Sequence, residues 1–121
     1  VGLRTKNNVL FDLPEYVALF DIFPQAGALL DTGHAHVNGW DIPAVVKALG
    51  ERLAACHVHD NDGSGDAHLP VGQGDIDWKA YFGAVKKYAP QATQVFEYCC
   101  GFNNTKDLEA HIAELKAKYK L

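Results

Sequence analysis

Hydrophobic and polar positions follow a repeating order along this chain. A short apolar run is followed by a polar loop, then by a stretch with apolar residues at helical spacing. Four such units are readable. The first opens with a strand over Val1–Thr5 and the polar loop Lys6-Asn7-Asn8. A helix begins near Asp12, where Asp12 and Glu15 stand as in a capping box and Pro14 suits the first turn. Val17, Phe20 and Phe23 recur at helical spacing, and Pro24 stops the helix. The second unit has an apolar strand, Ala26–Leu30, ending at Asp31. The loop Thr32–Trp40 follows, and Asp41 caps a helix through Leu49, with Pro43 in its first turn and Gly50 at its end.

The third unit has a strand over Ala54–His59 and a long polar loop, Asp60–Asp75, rich in glycine. Its helix runs from Asp77 through Ala89 and closes at Pro90. The fourth has a strand over Thr93–Tyr98 and a helix capped by Asn104, with Leu108, Ile112, Leu115 and Tyr119 on one face. Strands alternating with helices at about 30 residues per unit predict an α/β fold of four βα units with parallel strands. The near-continuous apolarity of the strands predicts a sheet covered on both faces.

Composition narrows the function classes. The 121 residues suffice for one domain with a real core, and 48% are hydrophobic. Formal net charge is −4, with basic residues clustered only in the tail Lys116–Lys120. An acidic domain without a basic stripe argues against tight binding to duplex nucleic acid, although a metal cluster would bring positive charge of its own. No apolar run is long enough to predict a membrane span. Cys56, Cys99 and Cys100 are odd in number and two are adjacent, which fits buried thiols in a reducing, cytoplasmic setting better than a disulfide framework. The chain contains no Met and begins at Val1, the mark expected of a fragment or a trimmed product.

Candidate chemistry collects at strand ends. Asp31, His59 and Glu97 each fall at or near the C-terminal end of a predicted strand, the edge where parallel α/β folds place their sites. Asp31 and His34 can converge across the tight turn that Gly33 permits. Taken alone, Asp31 could as well cap its loop and His34 lie on the surface. In His57-Val58-His59 the two imidazoles share a face. His59, nearer the strand end, is the expected ligand, and His57 the expected buried histidine bonded to backbone. Asp66 and His68 sit in a glycine-rich loop able to fold over a site, or else form an exposed turn. Glu97 interrupts an apolar strand and needs a partner, either a cation or a buried Lys or Arg. Six residues therefore make up the candidate metal set: Asp31, His34, His59, Asp66, His68 and Glu97. Imidazole and carboxylate ligands suit Zn²⁺, Mn²⁺, Co²⁺ or Fe²⁺ better than Ca²⁺, with Mg²⁺ a further candidate. The sequence has no G-x-S-x-G elbow, Walker A loop or dinucleotide fingerprint.

Four segments in this order resemble the xylose isomerase-like TIM-barrel superfamily. They are Leu30-Asp31-Thr32-Gly33-His34-Ala35-His36, His57-Val58-His59-Asp60-Asn61-Asp62-Gly63, Asp66-Ala67-His68-Leu69-Pro70-Val71-Gly72-Gln73-Gly74-Asp75-Ile76-Asp77-Trp78, and Phe96-Glu97. This group holds sugar phosphate isomerases and epimerases together with the endonuclease IV type of DNA-repair nuclease. The resemblance implies that Asp31, His59 and Glu97 hold a central metal. His34 would contact substrate in the isomerases, or join Asp66 and His68 on a further metal in the nuclease-like members. Glu97 would also transfer a proton, so Glu97 and His34 are the implied catalytic residues.

The family forms eight-stranded barrels of about 250 residues, so the resemblance implies the C-terminal half of a TIM (β/α)8 barrel, a single half-barrel domain over 1–121. It also aligns Lys6 with a position where the family has a metal-bridging glutamate. The implied function is a metal-dependent sugar or sugar-phosphate isomerase or epimerase, moving a proton through a metal-bound enediolate on a small-molecule sugar. Two alternatives stand beside it: an endonuclease IV-like phosphodiesterase, and a catalytically inactive metal-binding fragment. A half barrel exposes two sheet edges and an apolar inner face, so the expected partner is a second copy or the missing N-terminal half-barrel.

Overall fold

The computed structural model describes residues 12–121. The expected strand Val1–Thr5 and the loop containing Lys6 lie outside the described residues.

Helix α1 spans Leu13–Ile22. The Asp12 carboxylate accepts from the Glu15 amide at 2.9 Å, satisfying one of the orphan donors of the first turn. Tyr16 and Phe20 turn inward, edge to face at 5.2 Å. The Tyr16 hydroxyl donates to Leu29 O at 2.6 Å and accepts from Leu29 N at 3.1 Å, tying α1 to the first described strand, β1 (Ala28–Asp31). After β1 come α2 (Thr32–Val37), α3 (Ile42–Leu49) and a single 3-10 turn. Strand β2 (Leu53–Val58), α4 (Trp78–Tyr88), β3 (Thr93–Phe96) and α5 (Thr105–Tyr119) complete the order.

The three strands form one parallel sheet in the order β1-β2-β3. Register pairs Asp31 with His57, and His57 with Val95, so three adjacent strands bring these positions into one row. Alternation sends Leu30, Cys56 and Val58 to the opposite face, where all three are fully buried in one core with Val45, Val46, Leu49, Tyr81, Phe82 and Val85 of α3 and α4. The other face carries Leu29 and Val95, 37% and 43% exposed. Among the described residues, only one face of the sheet is therefore covered, where the apolar strands had predicted two.

Two element boundaries also differ from expectation. Thr32–Trp40, expected as loop, holds the six-residue helix α2. It is too short to show helical periodicity, and its start is set by the Asp31 cap on the His34 amide at 2.8 Å. Strand β3 stops at Phe96, leaving Glu97 just beyond it, although the Glu97 amide still donates to Val58 O at 3.1 Å. No helix of the described residues is long and apolar enough to cross a membrane.

Candidate metal centre

Asp31 is the node of the site. It ends β1, is 3% exposed, and uses one oxygen, Oδ1, for two tasks. That oxygen caps α2 and also accepts from His59 Nε2 at 3.0 Å. Its other oxygen lies 3.2 Å from His34 Nδ1 and 3.8 Å from His57 Nδ1. Burial disfavours the Asp31 charge, but bonds from His59 and the His34 amide outweigh it and hold the carboxyl below the usual aspartate range. For His59, burial favours the neutral ring. The bond to Asp31 and the charges of Asp31, Asp66 and Glu97 prevail, so its pKa is raised.

His59 is fully buried and clamped from several sides. The Thr32 hydroxyl donates to its carbonyl at 3.0 Å and accepts from its amide at 3.2 Å. A Cβ at Gly33 would fall 2.0 Å from His59 Cε1, so only glycine leaves room for the ring. Its imidazole lies flat on that of His68, with centroids 3.8 Å apart and planes within 5°.

His68 and Asp66 come from the long loop. Asp66 Oδ2 lies 3.0 Å from His34 Nε2 and 3.2 Å from His68 Nε2. His68 has φ +47°, a left-handed conformation that a non-glycine residue adopts at a cost and that the surrounding structure must enforce. The loop's anchor is Asp60, fully buried at its start. Its carboxylate accepts from the amides of Asn61, Gly72 and Ile76 and from Trp78 Nε1, and its backbone pairs with Leu69 in an antiparallel bridge. Asn61 donates to Gly33 O at 3.0 Å, and His36 meets Asp75 at 2.6 Å, drawing the loop onto α2.

Glu97 reaches the cluster from beyond β3, its Oε2 2.9 Å from His57 Nδ1. The six candidate residues fall into overlapping groups rather than one shared set, and Asp31, His59 and Glu97 do not form a set by themselves. Potential ligand atoms lie within 4.8 Å of one another in three sets: His34, Asp66 and His68; His59, His68 and Glu97; and Asp31, His57 and Glu97. His57 corrects the sequence reading. It is neither buried nor bonded to backbone in the expected way, but 35% exposed and set between Asp31 and Glu97. The buried histidine is His59. The described partner of Glu97 is this imidazole rather than a Lys or Arg. Thr32, Asn61 and Asp60 went unnoticed as supports, because a polar residue that bonds backbone leaves no periodic trace in a sequence.

Among the described residues, two buried side-chain atoms have no hydrogen-bond partner: His59 Nδ1 and Asp66 Oδ1, 3.8 Å apart. With the Nε2 proton committed to Asp31, a neutral His59 presents a lone pair to a carboxylate oxygen. Two acceptors facing each other in a buried site are costly. A divalent cation held by both would satisfy them, and the imidazole and carboxylate donor set suits such an ion. The residues present therefore fit a metal.

A cavity of about 430 Å³ is lined among others by Phe96, Tyr98, Phe102 and Asn104 at the start of α5. None of the six candidate residues lines it.

Comparison with known proteins bears on the family and the fold. The family described as xylose isomerase-like TIM barrel matches residues 3–118. An uncharacterised protein of Sinorhizobium fredii is 35% identical over 87 residues, covering 70% of this chain and 28% of that protein. An uncharacterised protein of Methanocaldococcus jannaschii is 36% identical over 58 residues, covering 48% of this chain and 22% of that one. The crystal structure of a D-tagatose 3-epimerase-like protein superposes with a TM-score of 0.66 at 21% identity, over 97% of this chain and 47% of that one. The chain thus spans under a third of the curated relatives' length and about half of the structural neighbour.

Proposed function

This chain belongs to the xylose isomerase-like TIM-barrel family, and from that premise we propose that it is the metal-binding half of a sugar isomerase or epimerase. Its α/β fold, four units by sequence with three parallel strands described, corresponds to half of such a barrel. We read residues 1–121 as one half-barrel domain. The observation that carries the reading is the pair of orphaned atoms, His59 Nδ1 and Asp66 Oδ1, inside a cluster of converging imidazoles and carboxylates.

In this reading Asp31, His59 and Glu97 would hold a central divalent ion, and His34, Asp66 and His68 could hold a further one. When bound, such an ion polarises the carbonyl and adjacent hydroxyl of a ketose. Glu97 is the proposed base. Its carboxylate is half exposed, so it can reach a substrate C–H, and His57 against Oε2 orients it. Removing that proton gives an enediolate, and returning one at the neighbouring carbon completes isomerisation or epimerisation. His34 is the proposed contact to a substrate oxygen. Burial of Asp31 and His59 keeps water from the inner side of the cluster. The position aligned with the family's second glutamate is Lys6, so the return of the proton is assigned to no residue of this chain.

The test is exchange of a substrate C–H with deuterium from solvent, over a ketose panel, with Mn²⁺, Zn²⁺, Co²⁺ or Mg²⁺ and with chelator. Metal-dependent exchange supports the reading, and metal binding without exchange on any sugar supports the inactive fragment. The second ligand set, His34, Asp66 and His68, favours one other reading, an endonuclease IV-like phosphodiesterase. Counting anomalous peaks in crystals grown with Zn²⁺ separates them. One ion supports the isomerase, whereas two or three together with nicking of abasic DNA support phosphoryl chemistry.

The exposure of Leu29 and Val95 on one sheet face supports a partner, either a second copy or an N-terminal half-barrel. Light scattering that returns a stable monomer with an unchanged fold removes the second-copy form of this proposal.

A further inference from the structure

Two exposed thiols stand next to the cluster and take no part in the proposed chemistry. Cys99 and Cys100 follow Glu97 closely, are adjacent in the chain, and are both exposed as free thiols. Cys99 also holds the ligand loop. Its amide donates to His68 O at 3.1 Å and its thiol donates to Ala67 O at 3.2 Å. The next residue, Gly101, packs so closely on Pro70 that a Cβ would fall 2.6 Å from the ring. Displacement of residues 99–101 must therefore be felt by the segment from Asp66 to Pro70.

We propose that Cys99 and Cys100 are a thiol modification site, where a small-molecule disulfide joins their sulfurs and releases the Asp66–His68 segment. One protein sulfur attacks the disulfide, whose S–S bond breaks and expels a thiol. The second protein sulfur then attacks the mixed disulfide and expels the other thiol. Two protein S–H bonds are lost, one S–S bond is gained, and the small disulfide is reduced to two thiols. Cys99 then has no S–H to donate to Ala67 O. The third cysteine, Cys56, is fully buried and stays out of the reaction. The effect on metal affinity rests on the proposed metal centre, whereas the thiol chemistry and the loosening of the loop do not.

The experiment treats the metal-free chain with oxidised glutathione and reads intact mass, peptide map and amide hydrogen exchange. The expected product has lost two hydrogens, carries no glutathione, and maps to Cys99 and Cys100. The Ala67 and Leu69 amides, bonded to Gly65 O and Asp60 O, should then exchange at least about tenfold faster, reversed by dithiothreitol. Cys100→Ser should stop at the glutathione adduct. No reaction, a stable adduct on the unsubstituted chain, reaction at Cys56, or a disulfide with unchanged exchange at Ala67 and Leu69 would each overturn the proposal. Zn²⁺ titration then serves as a separate arm, with a loss of about tenfold or more in affinity expected on oxidation. If the reduced chain binds no Zn²⁺, the metal reading fails while mass and exchange still decide the thiol site.

Discussion

The indole of Trp78 donates through Nε1 to the buried carboxylate of Asp60 at 2.7 Å, joining the start of the long loop to the first turn of α4. Three backbone amides converge on the same carboxylate. The loop that delivers Asp66 and His68 is thus held from its base, by a residue that touches neither. Replacing Asp60 with Ala leaves four donors unpaired at roughly 1–3 kcal/mol each, non-additively, so a loss of at least about 3 kcal/mol in urea unfolding is expected. Asp60→Asn keeps the shape but turns an amide group toward donors, and should recover only part of that loss. Wild-type stability in Asp60→Ala would show that the carboxylate is not the anchor.

Gly33 sets the room available to His59. A methyl group there overlaps the ring outright, with 2.0 Å to Cε1 and 2.4 Å to Nδ1. Gly33→Ala should cost about 1–3 kcal/mol as the ring moves aside. If His59 is a ligand, Zn²⁺ affinity measured by competition with a chromophoric chelator should fall about 10- to 100-fold. Unchanged affinity in a folded Gly33→Ala protein would remove His59 from the ligand set.

The Asp31–His59 pair gives the metal-free protein a defined pH dependence. Asp31 has a lowered pKa in the folded chain, so its contribution is present above the unfolded value of 3.8 and is lost as pH falls through the folded one. His59 has a raised pKa, so its contribution is complete below 6.5 and is lost as pH rises through the folded value. Thermal melts in chelator should therefore show this pair stabilising most between those limits. His59→Gln should flatten the alkaline side of the profile; an identical alkaline slope in that variant would show that His59 does not cause it.

Glu97 is the residue on which the proposed chemistry turns. Glu97→Gln removes the base and one anionic ligand while leaving the core untouched, since the side chain is half exposed. Solvent exchange of a substrate proton should fall by about 10²–10⁴-fold, with melting temperature changed little. Exchange that persists in this variant would assign the base elsewhere.

Much of this arrangement was legible in the chain, and the misses have physical causes. The caps Asp12, Asp41, Asp77 and Asn104 all start helices as read, because each carries its signal in its own turn. Helix α2 was not legible, because six residues are too few for a periodic pattern and its cap doubles as a site residue. His57 and His59 were readable as a pair but not by role. Strand alternation places His57 in the row with Asp31, while His59 lies past the end of β2, where alternation no longer applies. Apolarity along the strands suggested two covered faces, whereas the half-barrel reading expected an exposed inner face, and among the described residues the face with Leu29 and Val95 is exposed. Asp60 looked like one more polar loop residue, since its partners arrive from further along the chain.

The candidate ligands are contributed by four separate stretches of the polypeptide: Asp31 and His34, His57 and His59, Asp66 and His68, then Glu97. No local segment can assemble them in the unfolded chain. An ion held by ligands from two or three of these stretches would act as a cross-link between distant parts of the backbone, stabilising the native topology much as a covalent tie would. Where Asp31, His57 and Glu97 supply the ligands, such a link could be made only after β1, β2 and β3 had lined up, so uptake would come late in folding and would seal the order of the strands.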